Sequence, residues 1–398
     1  MISANGKKSD VDASLAERRP DWDPRSSEVQ IDQIRAYDHM RETCPVAYSD
    51  YLGWSLFRHA DILQVLTDHE TFSNVVSRHP AVPNGMDPPQ HTVYRRMIDP
   101  YFTRERVEAF EPECRQIAGD LLKALSNAPS FEVMACLAEP YAVSIQCGFL
   151  GWPASLHEPL LQWVRKNRKA TLARDTDAMA AVALEFDGHI RSQIQWREEA
   201  GVAVRDDITT SLVRQTVDGE RLGHGEIVSI LRNWTVGELG TIAACLGIIV
   251  HFLAENPEIQ RRLRLDRSGI SPAIEEILRV HGPLISNRRT AVRSVVIGGR
   301  RIEAGERMTV IWASANRDAR AFEAADQYCP ERDQTANLLY GAGIHICPGA
   351  ALARMQLRVM IDEFVSRVAS FSLLKGAESL RAIYPASGFA SVFLQIDQ

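Results

Sequence analysis

Residues 337–358 read NLLYGAGIHICPGAALARMQLR, and the rest of the chain is arranged around this stretch. A glycine-punctuated loop, Gly341 to Gly343, leads into Cys347, and the residues that follow predict a helix beginning at once. Pro348 has no N–H and a preset φ, which suits a first helical turn. Ala350, Ala351, Leu352, Ala353, Met355 and Leu357 then favour the helix. Cys347 is thereby placed at a helix N-terminus, where free amides and the positive dipole end stabilise a thiolate. A thiolate so held serves as nucleophile, redox thiol or axial metal ligand. The glycines favour the ligand, because they let backbone approach a flat cofactor that side chains would push away.

The stretch resembles the haem-binding loop of the cytochrome P-450 family, Phe-Gly-x-Gly-x-His/Arg-x-Cys-x-Gly followed by Leu-Ala-Arg. Gly341, Gly343, His345, Cys347, Gly349, Leu352, Ala353 and Arg354 fall on that pattern, and Tyr340 departs from it by replacing the usual Phe. A Tyr packs much as Phe does, but its hydroxyl needs a partner when buried. A lone cysteine in a turn is ordinarily an inert buried thiol; this many fixed points in ten residues argue otherwise. The resemblance implies Cys347 as the iron ligand and haem b (iron protoporphyrin IX) as cofactor. It also implies dioxygen as co-substrate and a mainly α fold with a minor β portion, the family's triangular helix-rich prism.

Bulk properties narrow the setting. The chain has 398 residues, 45% hydrophobic, and carries a net charge of −6, which argues against a nucleic-acid partner. Its seven cysteines are scattered with no CxxC or CxxCH, a pattern that fits a reducing cytoplasm and excludes c-type haem attachment. Residues 1–20 are polar, lack the apolar segment of a signal peptide, and are expected to form a flexible tail. The longest apolar run, Thr241 to Ala254, is shorter than the roughly 18–20 residues a membrane span requires. The expectation is one cytoplasmic haem domain over 21–398, monomeric and without a membrane partner.

Along the chain, Glu28 to Thr43 carries apolar residues at helical spacing, and Val46 to Phe57 reads as a hairpin turning at Gly53. His59 to Asp68 predicts a short helix. Ser73 to Pro89 reads as a long loop, uncommon unless functional. From His91 to Ser370 the pattern is mostly helical, with a β interruption at Val292 to Trp312.

Further constellations fall in the family's order. Glu276 and Arg279 sit three apart on one helix face, ordinarily a surface pair. With Pro330-Glu331-Arg332 downstream, the resemblance makes Glu276, Arg279 and Arg332 a structural lock behind the haem. Asp87-Pro88-Pro89 followed by His91 and Arg95 matches the family's propionate-binding segment, with His91 and Arg95 on one face. Arg289 and His345 complete the propionate set that the resemblance implies, with Arg288 as the alternative to Arg289. Tyr340, Gly341, Gly349 and Gly237 complete the cofactor-binding set.

Glu226 to Ala254 predicts a long central helix that contains Gly237-Glu238-Leu239-Gly240-Thr241. Two glycines inside a helix cost roughly 1 kcal/mol each relative to Ala, and breaking a local rule twice marks a functional site. The resemblance supplies a groove for dioxygen and gives Thr241 the oxygen-activating role. The family usually has Asp or Glu directly before that threonine; here the place is Gly240. Glu238, three residues before Thr241 and on roughly the same face, either feeds protons by another route or makes a structural pair.

The activity implied is a monooxygenase (oxidoreductase) reaction, with two electrons and two protons delivered to the haem while one oxygen atom enters the substrate by hydroxylation or dealkylation. No flavin or iron–sulfur signature occurs before Gln398, so a separate ferredoxin and its reductase are the expected donors. Arg96, Arg104, Arg106, Arg354 and Arg358 are candidates for a basic docking patch. Val75, Val76, Trp234, Val236, Leu284, Ile285 and Phe389 form the expected pocket for a small hydrophobic or aromatic substrate. Lys166, Arg168 and Lys169 read as a solvated helix face. The motifs around Pro83 to Met86 and Gly237 to Thr241 are also similar to bacterial members with fused reductases. Two rival readings are a peroxide-driven peroxygenase on this scaffold, raised by Gly240, and a haem sensor without turnover.

Overall fold

The computed structural model describes residues 18–77, 81–200 and 206–396. The tail expected over residues 1–20 therefore lies outside the described residues up to residue 17. The fold is mainly helical, with one five-stranded sheet and several sheets of two or three strands.

Its axis is the helix His224–Glu255, 32 residues long and therefore about 48 Å at 1.5 Å per residue. Glu226 accepts a hydrogen bond from the Gly223 amide at 2.8 Å and closes the first turn. Asn256 ends it, and Pro257 opens the next helix, where a missing N–H costs nothing. From Ile242 to Val250 every residue is buried. The helix is long and apolar enough to cross a membrane, but this segment is the centre of the largest apolar cluster. Burial among other helices accounts for its all-round hydrophobicity. Helices Glu139–Leu150, Thr176–Ala200, Ile270–His281 and Ala350–Arg367 pack against it, and Arg104–Leu125 joins that cluster through Ala350–Arg367 and Glu139–Leu150.

A five-stranded sheet forms the second core. Its order is Val46–Ser49, Gly53–Leu56, Arg307–Ile311, Ser286–Ala291 and Phe72–Ser73, antiparallel except where Arg307–Ile311 runs parallel to Gly53–Leu56. Gly53 opens its strand at φ +69°, and a Cβ there would stand 2.5 Å from the Arg307 carbonyl oxygen. Close backbone approach therefore requires glycine at this corner. A small sheet of Ser130–Glu132, Phe393–Ile396 and Phe371–Leu373 closes the other end.

Several local expectations are corrected. The helix expected over 28–43 is two helices, Ser27–Ile31 and Gln33–Thr43, because Asp32 leaves helical geometry at φ −149° and caps the second through Arg35 N–H. The β portion begins at Ser286, earlier than expected, and Trp312 already belongs to a short helical turn. The helix after Cys347 begins at Ala350, with Gly349 at its N-cap. Cys347 therefore stands three residues before the first helical residue, with Pro348 in the intervening turn. The Cys347 amide instead donates to the Tyr340 carbonyl at 2.9 Å, which closes the loop on itself. All seven cysteines are free.

Candidate functional site

The site is built where the Cys347 loop, the central helix and the helix Gln90–Ile98 approach one another. Gly341 and Gly343 adopt φ +77° and +69°, conformations that L side chains avoid. At Gly343 a Cβ would lie 2.2 Å from the carbonyl oxygen of Leu66, so the loop is seated on the end of helix His59–Thr67. Cys347 is accessible to solvent. Even so, burial raises its thiol above the ordinary value, while the Gly349 N–H pulls it down and the Glu238 charge pushes it up. Tyr340 lies under the Arg354 guanidinium, 4.2 Å from ring centre to carbon, and Arg354 is held by Glu275 at 2.8 Å. Burial raises the Tyr340 phenol well above its usual range.

His91 and His345 come together, their ring centres 4.2 Å apart. Arg95 donates to the Ile346 carbonyl at 2.7 Å and pairs with Asp99 at 2.6 Å. Arg289 is 3% exposed, whereas Arg288 is exposed, so the two neighbours are separated by strand alternation. Among the described residues its side chain donates to one acceptor, the Arg288 carbonyl. The site thus collects two arginines and two histidines. Burial, with Arg95 next, lowers His91, and burial, His91, Arg289 and Arg95 bring His345 to about 3. Of the acids within reach of His91, Asp99 pairs with Arg95 and Asp87 is already engaged by Ser73 and Asn74.

On the central helix, a Cβ added at Gly237 or Gly240 would meet nothing within 4 Å, so the two glycines leave open space beside half-buried Thr241, where the groove is expected. The Glu238 carboxyl is buried, and burial raises it to about 7 although the neighbouring Gln356 amide pulls the other way. Glu276, Arg279 and Arg332 meet. Glu276 accepts from Arg279, Arg332 and Gln334, and both Glu276 and Arg279 are fully buried.

The expected substrate-pocket residues do not all converge. Val75, Val236 and Leu284 are 54%, 45% and 42% exposed, unusual for apolar side chains in the middle of a chain, and Val76 is half-buried. Trp234 instead turns its ring to Tyr101 and Phe102, at 5.6 and 5.0 Å. Ile285 is buried with Tyr37, Phe57 and Ile311. Phe389 is sandwiched between His251, at 4.1 Å, and Arg381, at 5.1 Å. The last two line a cavity of about 50 Å³ beside the end of the central helix.

The five arginines considered for docking also divide. Arg104, Arg354 and Arg358 border one depression of about 590 Å³ near the cysteine helix, but each is paired, with Glu108, Glu275 and Glu111. Arg106 borders a different hollow, with Asp206 and Asp207, and Arg96 is exposed. Lys166 and Arg168 pair with Glu185 and Glu139. Two further residues went unremarked in the sequence, Trp312 and Gln356. Both carry buried polar atoms without partners, which no linear pattern reveals.

Comparison with known proteins bears on this geometry. Residues 270–379 match the family model described as Cytochrome P450. The chain is 31% identical over 346 residues to cyclomarin C epoxidase of Salinispora arenicola, covering 82% of this chain and 87% of that protein. It is 30% identical over 353 residues to erythromycin C-12 hydroxylase of Saccharopolyspora erythraea, covering 86% and 88%. In structure it is similar to a mutant of P450 EryK in complex with erythromycin B, with a TM-score of 0.84, 28% identity, and 92% and 96% of the two chains covered.

The residues present fit a haem. Among the described residues, buried His91 Nε2, His345 Nε2 and Trp312 Nε1 have no partner, and Arg289 is under-used. Buried donors beside two arginines are what a planar dianion requires.

Proposed function

As the chain belongs to the cytochrome P450 family of monooxygenases, whose cofactor is haem b, we propose that it oxidises a small hydrophobic or aromatic substrate by hydroxylation or dealkylation. Electrons come from a ferredoxin and its reductase, and residues 21–398 form the haem domain, which works in the cytoplasm. The observation that carries this is Cys347, an accessible thiol on a glycine-shaped loop, flanked by unpartnered donors.

Cys347 is the iron ligand, with the Gly349 N–H aimed at its sulfur to stabilise the thiolate. His91, Arg95, Arg289 and His345 hold the propionates, and Tyr340, Gly341 and Gly349 let backbone lie against the ring. Bound there, haem b supplies dioxygen binding and O–O cleavage, which thiolate donation favours. Gly237 and Gly240 keep the central helix bare where dioxygen lies, and the Thr241 hydroxyl orients a proton there. Val75, Val236 and Leu284 offer apolar contact to the substrate. The paired arginines around the 590 Å³ depression support a docking surface for the donor that is nearly neutral rather than strongly basic.

The test is the reduced, carbon monoxide-bound spectrum. A long-wavelength Soret band that Cys347→Ala abolishes is expected; a band unchanged by that substitution overturns the assignment. Gly240 in place of the usual acid favours one second reading, a peroxygenase. Turnover with peroxide alone at or above the rate with NADH, ferredoxin and reductase would establish it.

A further inference from the structure

The seam between the central helix and the cysteine helix contains polar side chains that the machinery above does not use. Gln356, on the second turn of the cysteine helix, is 0% exposed, yet among the described residues neither atom of its side-chain amide has a hydrogen bond of good geometry. Glu238 faces it from the central helix, close enough for the amide to act on the carboxyl, and Glu238 Oε1 is also buried without a partner. Around them Tyr141 donates to the Gln356 backbone carbonyl at 2.8 Å and lies 2.9 Å from the Cys114 sulfur. Cys245 and Cys347 are the other titratable groups near it, and burial raises Cys114, Tyr141 and Cys245, so these three stay neutral beside Glu238.

Leaving three polar atoms unpaired in an apolar seam is costly unless something bridges them or they act. An internal water needs two to four polar partners, and these three atoms offer that number. Glu238 lies one turn from Thr241 on neighbouring faces of one helix, beside a groove where neither Gly237 nor Gly240 carries a side chain. The acid usually found next to the threonine is missing at Gly240.

We propose that Glu238 and Gln356 together form the proton-delivery site for the Thr241 groove, reached from the helix seam rather than from position 240. Glu238 holds one proton as a neutral carboxylic acid and passes it through an internal water to the Thr241 hydroxyl, which in the same step releases its own proton into the groove. The carboxylate left behind takes up one proton from solvent, so no other group changes oxidation or charge in a cycle. Gln356 is a positioning residue that orients the carboxyl and anchors the water. This rests on the monooxygenase reading of the groove.

The test uses the holoenzyme with a ferredoxin, its reductase and 7-ethoxycoumarin as probe, in parallel with peroxide-driven turnover of that probe. Glu238→Gln is expected to lower product per NADH about 10-fold, with peroxide-driven turnover nearly unchanged, because peroxide brings its own protons. The double variant E238Q/Q356E, which returns a carboxyl from the opposite helix, restores much of the loss. Independently of turnover, infrared difference spectra show a carboxylic acid band that E238Q removes and Gln356→Leu shifts. Unchanged coupling in E238Q, equal loss under both oxidants, or no such band overturns the proposal. If the parent lacks the thiolate-type carbon monoxide spectrum, the monooxygenase reading and this inference fall together.

Discussion

Arg279 grips Glu276 across one helical turn with two hydrogen bonds of 2.8 Å, and neither side chain has any exposed surface. Its remaining donors reach the carbonyls of Asn316, Ala325 and Gln327, while Glu276 also holds Arg332 and the Cys329 amide. The network thus ties helix Ile270–His281 to the irregular segment ahead of the cysteine loop. Removing one partner strands a buried charge. Glu276→Gln should therefore lower stability by about 3–5 kcal/mol, read as a fall in the urea midpoint of the holoprotein.

Acid should act through the same group. Burial alone would raise Glu276, but hydrogen bonds from Arg279, Gln334 and Arg332 outweigh it and bring the carboxyl from 4.5 to about 2. The folded state then binds fewer protons than the unfolded one between those values. Its contribution is complete above pH 4.5 and is lost as pH falls towards 2, about 3 kcal/mol in all. Urea unfolding at pH 5, 4 and 3 should show that slope, reduced in E276Q.

Glu238 should give the opposite dependence. Burial, opposed by Gln356, raises it from 4.5 to about 7. The unfolded chain releases this proton first, so stability falls as pH climbs from 4.5 to 7 and then levels. The stability of E238Q relative to the parent should rise by about 3 kcal/mol across that window, measured by urea midpoints at pH 5, 6, 7 and 8.

Gly343→Ala should be far more damaging than Gly349→Ala. The first forces a Cβ to 2.2 Å from the Leu66 carbonyl at φ +69°. The second brings ordinary contacts of 3.7 Å to Phe102 and 3.9 Å to the Cys347 sulfur. A loss of about 2 kcal/mol or more is expected for Gly343→Ala, with faster haem transfer to apomyoglobin. Gly349→Ala should fold normally and shift the Soret band slightly.

Arg289→Leu should release haem about 10-fold faster than the parent, as removing a charged hydrogen bond predicts. Arg288→Leu, altering an exposed position on the opposite face, should leave that rate unchanged.

Much of this was legible in linear sequence. Residues three or four apart on one helix, such as Glu276 with Arg279, declare their proximity, and glycines in the Cys347 loop declare their conformation. The helix break at Asp32 was hidden because apolar spacing continued through it, while the cap bond that broke the pattern depends on local geometry. Ile285 and Trp234 misled for another reason: an apolar residue fits a pocket or a core equally well, and packing against Tyr37 or Phe102 decided. The pairing of Arg354 and Arg358 was illegible because Glu275 and Glu111 lie 79 and 247 positions from their partners, whereas Arg104 meets Glu108 within one helical turn. Gln356 gave no sign, since an amide in a helix is ordinary until its neighbours are known.

The seating of Gly343 on the Leu66 carbonyl has a practical consequence for anyone dissecting this protein. The amino-terminal sheet region and the pigment-bearing loop form one mechanical unit, so neither half is expected to survive excision. Splitting the gene between them for domain swaps or reporter fusions should yield colourless protein, whereas insertions within the exposed stretch preceding helix Thr176–Ala200 leave that joint untouched.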